Sequence, residues 1–170
     1  MHGMDGQNAA HVHVSNTSNL PVEALEVEYP LLIDEYGVVS DSGGAGQWRG
    51  GLGIARQIRT RDENVLFTAR SDGVTTPAPG LDGGMEGGCA RLFHIPADGV
   101  PEAMDGSVTG MRLKAGTAIR METPGGGGYG DPAKRDKAAL ARDLRDGKVS
   151  LDVARSDYQF AGLDSASAAA

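Results

Sequence analysis

The sequence predicts an α+β fold that is mainly β, with glycine-rich, twisted antiparallel strands followed by a short C-terminal lobe of two helices. Short apolar runs, several of them alternating with polar residues at period two, lie before residue 132, and strong helix formers are concentrated after it. The 26 glycines among 170 residues cluster between the apolar runs. Their share is about twice the usual 7% or so, which indicates turns, bulges and close backbone approaches.

Five segments have the alternation or the short apolar character of strands. The predicted strands are residues 25–29, 54–59, 65–70, 90–95 and 117–123, and residues 11–14 could form a further short one. Pro30 restricts the residues after it to an edge strand or a strand end. A turn signal at residues 62–64 separates the second and third of these strands, which predicts that the two form a hairpin.

The helical lobe is predicted from its start and stop signals. Asp131 suits an N-cap and Pro132 the first helical position, so a helix is expected over residues 133–146, with Gly147 as its stop. Ser150 is expected to cap a second helix that continues to about residue 158. The chain therefore divides into a glycine-rich β portion (1–131), a helical lobe (132–160) and a small, polar tail (161–170) that we expect to fray.

Composition excludes several classes of protein. A net charge of -7 without any Lys/Arg run argues against a nucleic-acid partner. The longest apolar stretch, at residues 29–33, is far shorter than the roughly 20 residues that span a bilayer, and the first residues have no signal-peptide pattern. A single cysteine, Cys89, allows no internal disulfide and fits a reducing compartment, so a cytoplasmic location is expected.

Polar residues near the N-terminus are the best candidates for chemistry. On a strand, His11 and His13 would point to one face, a spacing that metal sites use, and Asp5 could supply a third ligand. The simpler interpretation is a set of surface or interface polar residues, because no second cluster supports a metal. We expect the two histidines to line a substrate or interdomain cavity as polar contacts or proton carriers, with Asp5 and Asn16 orienting them.

The glycine run at residues 122–132 invites comparison with phosphate-binding loops. It matches neither G-x-x-x-x-G-K-[ST] nor G-x-G-x-x-G, and Asp131 lies where an anion would bind. We therefore predict a close-packing turn and no cofactor-binding residue. Cys89 has no adjacent base and is expected to pack as a small apolar side chain. Arg56 and Arg70 could contact carboxylates or phosphate, with ion pairing inside the fold the favoured interpretation.

Several segments together resemble the hydantoinase B-type subunits, a family related to 5-oxoprolinase and to the carboxylases of acetone and acetophenone. They occur in the family's order and at its approximate spacing, from residue 3 to about residue 160. The segments are GMDG (3–6), AHVH (10–13), NTSN (16–19), PVEALE (21–26), WRGGLG (48–53) with Arg56, GLDGG (80–84), ETP (122–124) with 125–131, and GKVS (147–150).

The resemblance covers only the C-terminal third of a typical family member. It implies metal ligands in the upstream part of the B-type subunit, an ATP-handling hydantoinase A-type partner, and a cyclic amide or ketone as substrate. The family's shared logic is activation of an unreactive carbonyl oxygen by phosphorylation. We expect ATP and a divalent metal in the full hetero-oligomeric complex and none in this chain alone.

We therefore expect a separately encoded or truncated segment of an ATP-dependent hydrolase of hydantoins, lactams or 5-oxoproline, inactive by itself. Three alternatives stay open at this point. The chain could be a segment of a ketone carboxylase, a non-catalytic scaffold module of such a complex, or an independent metal-binding β domain.

Overall fold

The computed structural model describes residues 3–10 and 19–161. Its elements are α1 (Val22–Glu28), β1 (Leu31–Val38), β2 (Ile54–Thr60), β3 (Val65–Arg70), β4 (Arg91–Ile95), β5 (Glu102–Met104), β6 (Ser107–Leu113), β7 (Ala118–Glu122), a 3-10 turn (Pro132–Lys134), α2 (Lys137–Arg145) and α3 (Leu151–Ser156). The α+β, mainly β fold class is confirmed. No helix within the described ranges is both long and apolar enough to cross a membrane.

Two antiparallel sheets form the β portion. The larger has the strand order β1-β2-β7-β4-β5, and the smaller pairs β3 with β6. The prediction of a β2–β3 hairpin is wrong, because β1 and β7 occupy both edges of β2. A turn signal shows where the chain reverses but not which strand becomes the partner. The prediction that Pro30 precedes an edge strand is confirmed, since β1 lies at one edge of the larger sheet.

Four of the predicted strands coincide with β2, β3, β4 and β7, whereas β5 and β6 escaped prediction. In β6 the register shifts, so that Phe67 faces Met111 while Ala69 faces Val108. Gly110, with φ of 65°, lies in the shifted stretch. The apolar residues of β6 are therefore three apart at this point, which breaks the period of two on which the sequence prediction depends.

The predicted strand at residues 25–29 is instead part of helix α1. Glu, Ala and Leu are good helix formers, and Pro21 fits the start of the helix. A carboxylate oxygen of Glu26 accepts a hydrogen bond of 2.8 Å from the backbone N–H of Ile33 in β1. The segment thus packs beside the edge strand as a helix, and local propensity prevails over the alternating pattern.

One apolar core lies between the two sheets. Its buried members are Leu92, Leu113 and Ile119, and strands β3, β5, β6 and β7 add half-buried side chains around them. The opposite face of the large sheet is polar. There Arg120 pairs with both Glu35 and Glu122, and Arg59 pairs with Asp34 at 2.7 Å. The large sheet therefore has one apolar and one ion-paired face.

The helical lobe differs from the single helix predicted over residues 133–146. Asp131 caps only the 3-10 turn, Arg135 is extended, and α2 starts after a second cap at Asp136. Gly147, with φ of 67°, ends α2 as predicted. Ser150 caps α3 as predicted, although α3 ends at residue 156. Division of the chain into a β portion and a separate helical lobe stays a prediction.

Three glycine-rich segments, residues 42–53, 78–88 and 123–130, are held against one another by backbone hydrogen bonds, and we call them the glycine layer. The Gly44 N–H donates to Gly126 O at 2.9 Å, and the Gly128 N–H donates to Met85 O at 2.8 Å. A methyl group on Gly50 would overlap the Gly126 carbonyl. The prediction of close backbone packing at this run is confirmed.

Candidate functional site

A groove of about 860 Å³ lies along the glycine layer. Its walls come from residues 4–10, the start of β2 and the glycine layer. The lining includes Met4, Gly6, Gln7, Ala9, Ala10, residues 48–54, residues 123–127 and Tyr129. Apolar side chains therefore lie beside bare backbone along this groove.

The N-terminal arm, residues 3–10, forms one wall of the groove and is fixed by backbone contacts. The Gly6 N–H donates to Arg49 O at 2.8 Å, and the Ala9 N–H donates to Leu52 O at 2.9 Å. The side-chain oxygen of Asn8 accepts from the Leu52 N–H at 3.1 Å. The arm therefore runs alongside residues 49–52 as far as Ala10.

A buried ion-pair cluster, made of Asp5, Arg49, Arg135 and Asp143, lies behind this wall. Arg135 holds both carboxylate oxygens of Asp5 at 2.8 Å, a bidentate pair. Asp143 contacts both Arg135 and Arg49, the latter at 3.2 Å. Asp143 and Arg49 are each only 4% exposed. The cluster therefore connects the N-terminal arm, the glycine layer and α2.

The charges of this cluster are stabilised by one another. Burial acts to raise the pKa of Asp5, but the Arg135 guanidinium and the Arg49 N–H outweigh it and hold that pKa below its usual range. Burial opposes the charged form of Arg135 too, yet Asp5 and Asp143 raise its pKa. Burial also raises the pKa of Tyr158, whose ring lies 5.7 Å from the Arg135 guanidinium carbon. Asp5 and Arg135 are thus both ionised at neutral pH.

Of the four residues predicted to form the site, the structure describes only Asp5. His11, His13 and Asn16, with the predicted strand 11–14, lie outside the described residues. Asp5 lies in the ion-pair cluster. Ala10 lines the groove, and His11 follows it in the chain. The grouping of both histidines with Asp5 and Asn16 stays a prediction.

Arg135 and Asp143 are the polar residues that sequence reasoning missed. Arg135 is separated from Asp5 by 130 positions, and no local pattern marks it as a partner. The sequence of α2 gives one weak indication of the cluster, because Asp143 lies on the same helix face as the buried Leu140. A carboxylate on an apolar face predicts a buried partner.

The described residues form neither a cluster of three metal-ligating side chains nor a phosphate-binding loop at the glycine run. Within residues 3–10 and 19–161, no group of three or more His, Cys, Asp or Glu side chains could hold a metal ion. The Asp131 carboxylate accepts from the Ala133 N–H at 2.9 Å, which places a negative charge where a phosphate would bind. N–H groups of Gly125, Gly126 and Gly128 already donate to backbone carbonyls.

The chain belongs to the hydantoinase B/oxoprolinase family, whose model matches residues 1–132. The family inferred from the ordered motifs is confirmed. Membership of this family defines the chain as a hydantoinase B-type segment.

Its relatives are much longer proteins. The beta subunit of the caprolactamase of Pseudomonas jessenii is 36% identical over 141 residues, which are 81% of this chain and 24% of the relative. The crystal structure of the ATP-dependent caprolactamase from that organism matches with a TM-score of 0.65 and 33% identity, over 81% of this chain and 24% of that one. The chain thus spans about a quarter of the length of these relatives.

Two further matches are less similar in sequence. The B-type subunit of a putative D-/L-hydantoinase from Pseudomonas sp. (strain NS671) is 29% identical over 166 residues, 96% of this chain and 28% of the relative. A nucleotide-free acetone carboxylase structure has a TM-score of 0.70 at 20% identity, over 81% of this chain and 22% of that one. At that identity, the acetone carboxylase match establishes a common fold alone.

Neutralising Asp5 is expected to change how stability depends on pH. A carboxylate with a depressed pKa stabilises the fold above its unfolded pKa of about 3.9 and loses that contribution as the pH falls through the folded value. Unfolding free energies of the wild type and Asp5→Asn should therefore differ most above about pH 4 and converge below it. Urea titrations between pH 7 and 2 measure this difference. If the difference in unfolding free energy between the two proteins stayed constant from pH 7 to pH 2, that result would contradict the ion pair.

Proposed function

We propose that this chain is a hydantoinase B-type segment of an ATP-dependent enzyme that hydrolyses cyclic amides such as lactams, hydantoins or 5-oxoproline. It works with a hydantoinase A-type subunit and with the remaining part of a B-type subunit. The observation that carries the proposal is the match to the ATP-dependent caprolactamase, in sequence at 36% identity and in fold at a TM-score of 0.65.

A cyclic amide is preferred to a ketone because of the degree of similarity. The relatives named for caprolactam and hydantoin are 36% and 29% identical to this chain. The acetone carboxylase is 20% identical and supports the fold only. Hydrolysis adds water across the amide C–N bond, so a lactam or 5-oxoproline opens to an amine and a carboxylate, and a hydantoin opens to a carbamoyl group and a carboxylate.

In this proposal the groove forms part of the substrate cavity. Met4, Trp48 and Ile54 offer apolar contacts for the carbon skeleton of a small ring. The glycine layer presents backbone instead of side chains, so a ligand can approach closely. In this proposal the metal and nucleotide sites belong to other parts of the complex.

Within this site, Asp5 acts as a positioning residue. Both of its carboxylate oxygens are engaged by Arg135, and one also accepts from the Arg49 N–H at 2.8 Å. A carboxylate so occupied is poorly placed to exchange a proton with a substrate. Its contribution is to fix the N-terminal arm, which leads through Ala10 to His11 and His13.

The substrate class is tested in the complex of this chain with an A-type subunit and the remaining B-type part. Caprolactam, 5-oxoproline and hydantoin are each supplied with ATP, and ADP and the ring-opened product (an amino acid, or an N-carbamoyl amino acid from hydantoin) are quantified. Acetone with bicarbonate serves as the comparison. We expect ring opening of at least one cyclic amide, dependent on ATP. Carboxylation of acetone without any ring opening would refute the proposal.

Replacing His11 and His13 by alanine tests whether the chain contributes to chemistry. If the histidines carry protons or hold the substrate, turnover of the complex should fall about 10²- to 10⁴-fold while assembly is unchanged. His94→Ala is the matched control, because His94 pairs with Glu102 at 3.4 Å and does not line the groove. Full turnover in the double variant would favour a scaffold role.

A further inference from the structure

Arg56 is a half-buried arginine on β2 whose charge is unpaired among the described residues. Its Nε and Nη2 atoms are buried and donate to no acceptor. The other buried or half-buried arginines that the structure describes each hold a carboxylate. The ion pairing favoured for Arg56 from sequence is thus absent among these residues.

The position of Arg56 makes this arrangement costly. In the large sheet it is opposite Tyr36 of β1 and Met121 of β7. Met121 in turn is opposite the buried Leu92, so this row belongs to the apolar face. A guanidinium without an acceptor on such a face opposes folding, because the donors lose water and gain nothing.

The Arg56 guanidinium contacts the exposed aromatic ring of Tyr36. The guanidinium carbon lies 5.6 Å from the centre of the Tyr36 ring, a cation–π contact. Tyr36 is 49% exposed on an edge strand, and its hydroxyl accepts from the Asn19 side chain at 2.8 Å. The Tyr36 ring therefore packs against the guanidinium from the edge of the sheet.

Arg56 also lies close to the groove. Ile54, two positions earlier on β2 and on the same face, lines the groove. Two residues of a strand span about 7 Å. A group bound at Arg56 would thus lie near Ile54 in the wall of the groove.

We propose that Arg56 is an oxyanion-binding site that takes a carboxylate or phosphate group supplied from outside the described residues. Nε and Nη2 form the edge of a guanidinium that binds the two oxygens of such a group side by side. The ligand is either a soluble anion or a carboxylate of the assembled complex. Binding displaces the Tyr36 ring and supplies the missing acceptors.

The first test is thermal unfolding of the full chain carrying Arg56→Met. Removing unsatisfied donors while keeping a long apolar side chain should raise Tm by about 2–4 °C. Arg59→Met is the control on the same strand. Its guanidinium already donates to Asp34 and Gly116 O, so this variant should unfold at a lower temperature. A lower Tm for Arg56→Met would mean that the group is satisfied within the chain, and the proposal fails.

The second test separates the two sources of the oxyanion. Phosphate and acetate replace chloride at constant ionic strength, and Tm is followed for the wild type and Arg56→Met. Binding of the wild type to an A-type subunit and the remaining B-type part is titrated in parallel. A rise in Tm specific to the wild type identifies a soluble anion. An assembly weakened about tenfold or more by Arg56→Met identifies a carboxylate of the complex. If neither the wild-type-specific rise in Tm nor the weakened assembly is observed, the proposal is overturned.

Discussion

Replacing Gly50 by alanine is expected to abolish stable folding of the chain. A Cβ at this position would overlap the carbonyl group of Gly126 in the neighbouring segment of the glycine layer. Both sides of the clash are backbone, so no side-chain rotation relieves it. Overpacking in a core costs about 1–3 kcal/mol when side chains can shift, and this change should cost at least the upper value. Soluble yield and Tm measure the effect.

The matched control is Gly37→Ala, a glycine of the edge strand β1. A Cβ at Gly37 would meet no atom within 4 Å. Neither Gly37 nor Gly50 has a positive φ, so the two substitutions differ in packing alone. Gly37→Ala should leave stability unchanged or raise it by about 0.4–1 kcal/mol. Equal stability of the two variants would contradict the close packing of the glycine layer.

Asp143→Asn is the second change with a large expected effect. It leaves Arg49 without a carboxylate in a position where that side chain is 4% exposed, and it weakens the pairing of Arg135. Breaking a buried ion pair by removing one partner costs about 3–5 kcal/mol. For a chain of this size, that lowers Tm by roughly 6–20 °C. Calorimetry or circular dichroism during heating measures it.

Asp146→Asn is the control for Asp143→Asn, because Asp146 caps the C-terminal end of the same helix, α2. Asp146 pairs with Lys148 at 2.8 Å on the solvent-exposed surface. Exposed pairs contribute little, because water and salt screen them. This variant should unfold at the wild-type temperature. If Asp143→Asn also did so, the buried cluster could not be what joins α2 to the N-terminal arm.

Those parts of the fold that depend on local pattern were predictable from sequence. Alternation placed β2, β3, β4 and β7, and the residues Asp131, Gly147 and Ser150 gave caps and stops that the structure contains. The glycine run was predicted to pack closely because it fitted no phosphate-binding pattern. The ordered motifs identified the family.

Features that depend on distant partners were not predictable. The strand β2 pairs with β7, more than 50 positions later, and not with the nearby β3. The cluster that fixes Asp5 needs Arg135 and Asp143, whose roles follow only from folding. The helix α1 is a different case, because its alternating sequence predicts a strand although its residues are good helix formers.

The central claim is that this chain completes an ATP-dependent enzyme for cyclic amides and does not act alone. The most direct measurement is ADP formation stimulated by a cyclic amide, for the chain alone, for its A-type and B-type partners alone, and for all of them together. We expect stimulation only in the complete mixture. Ring opening by the chain alone, or at full rate by the partners without it, would contradict the claim.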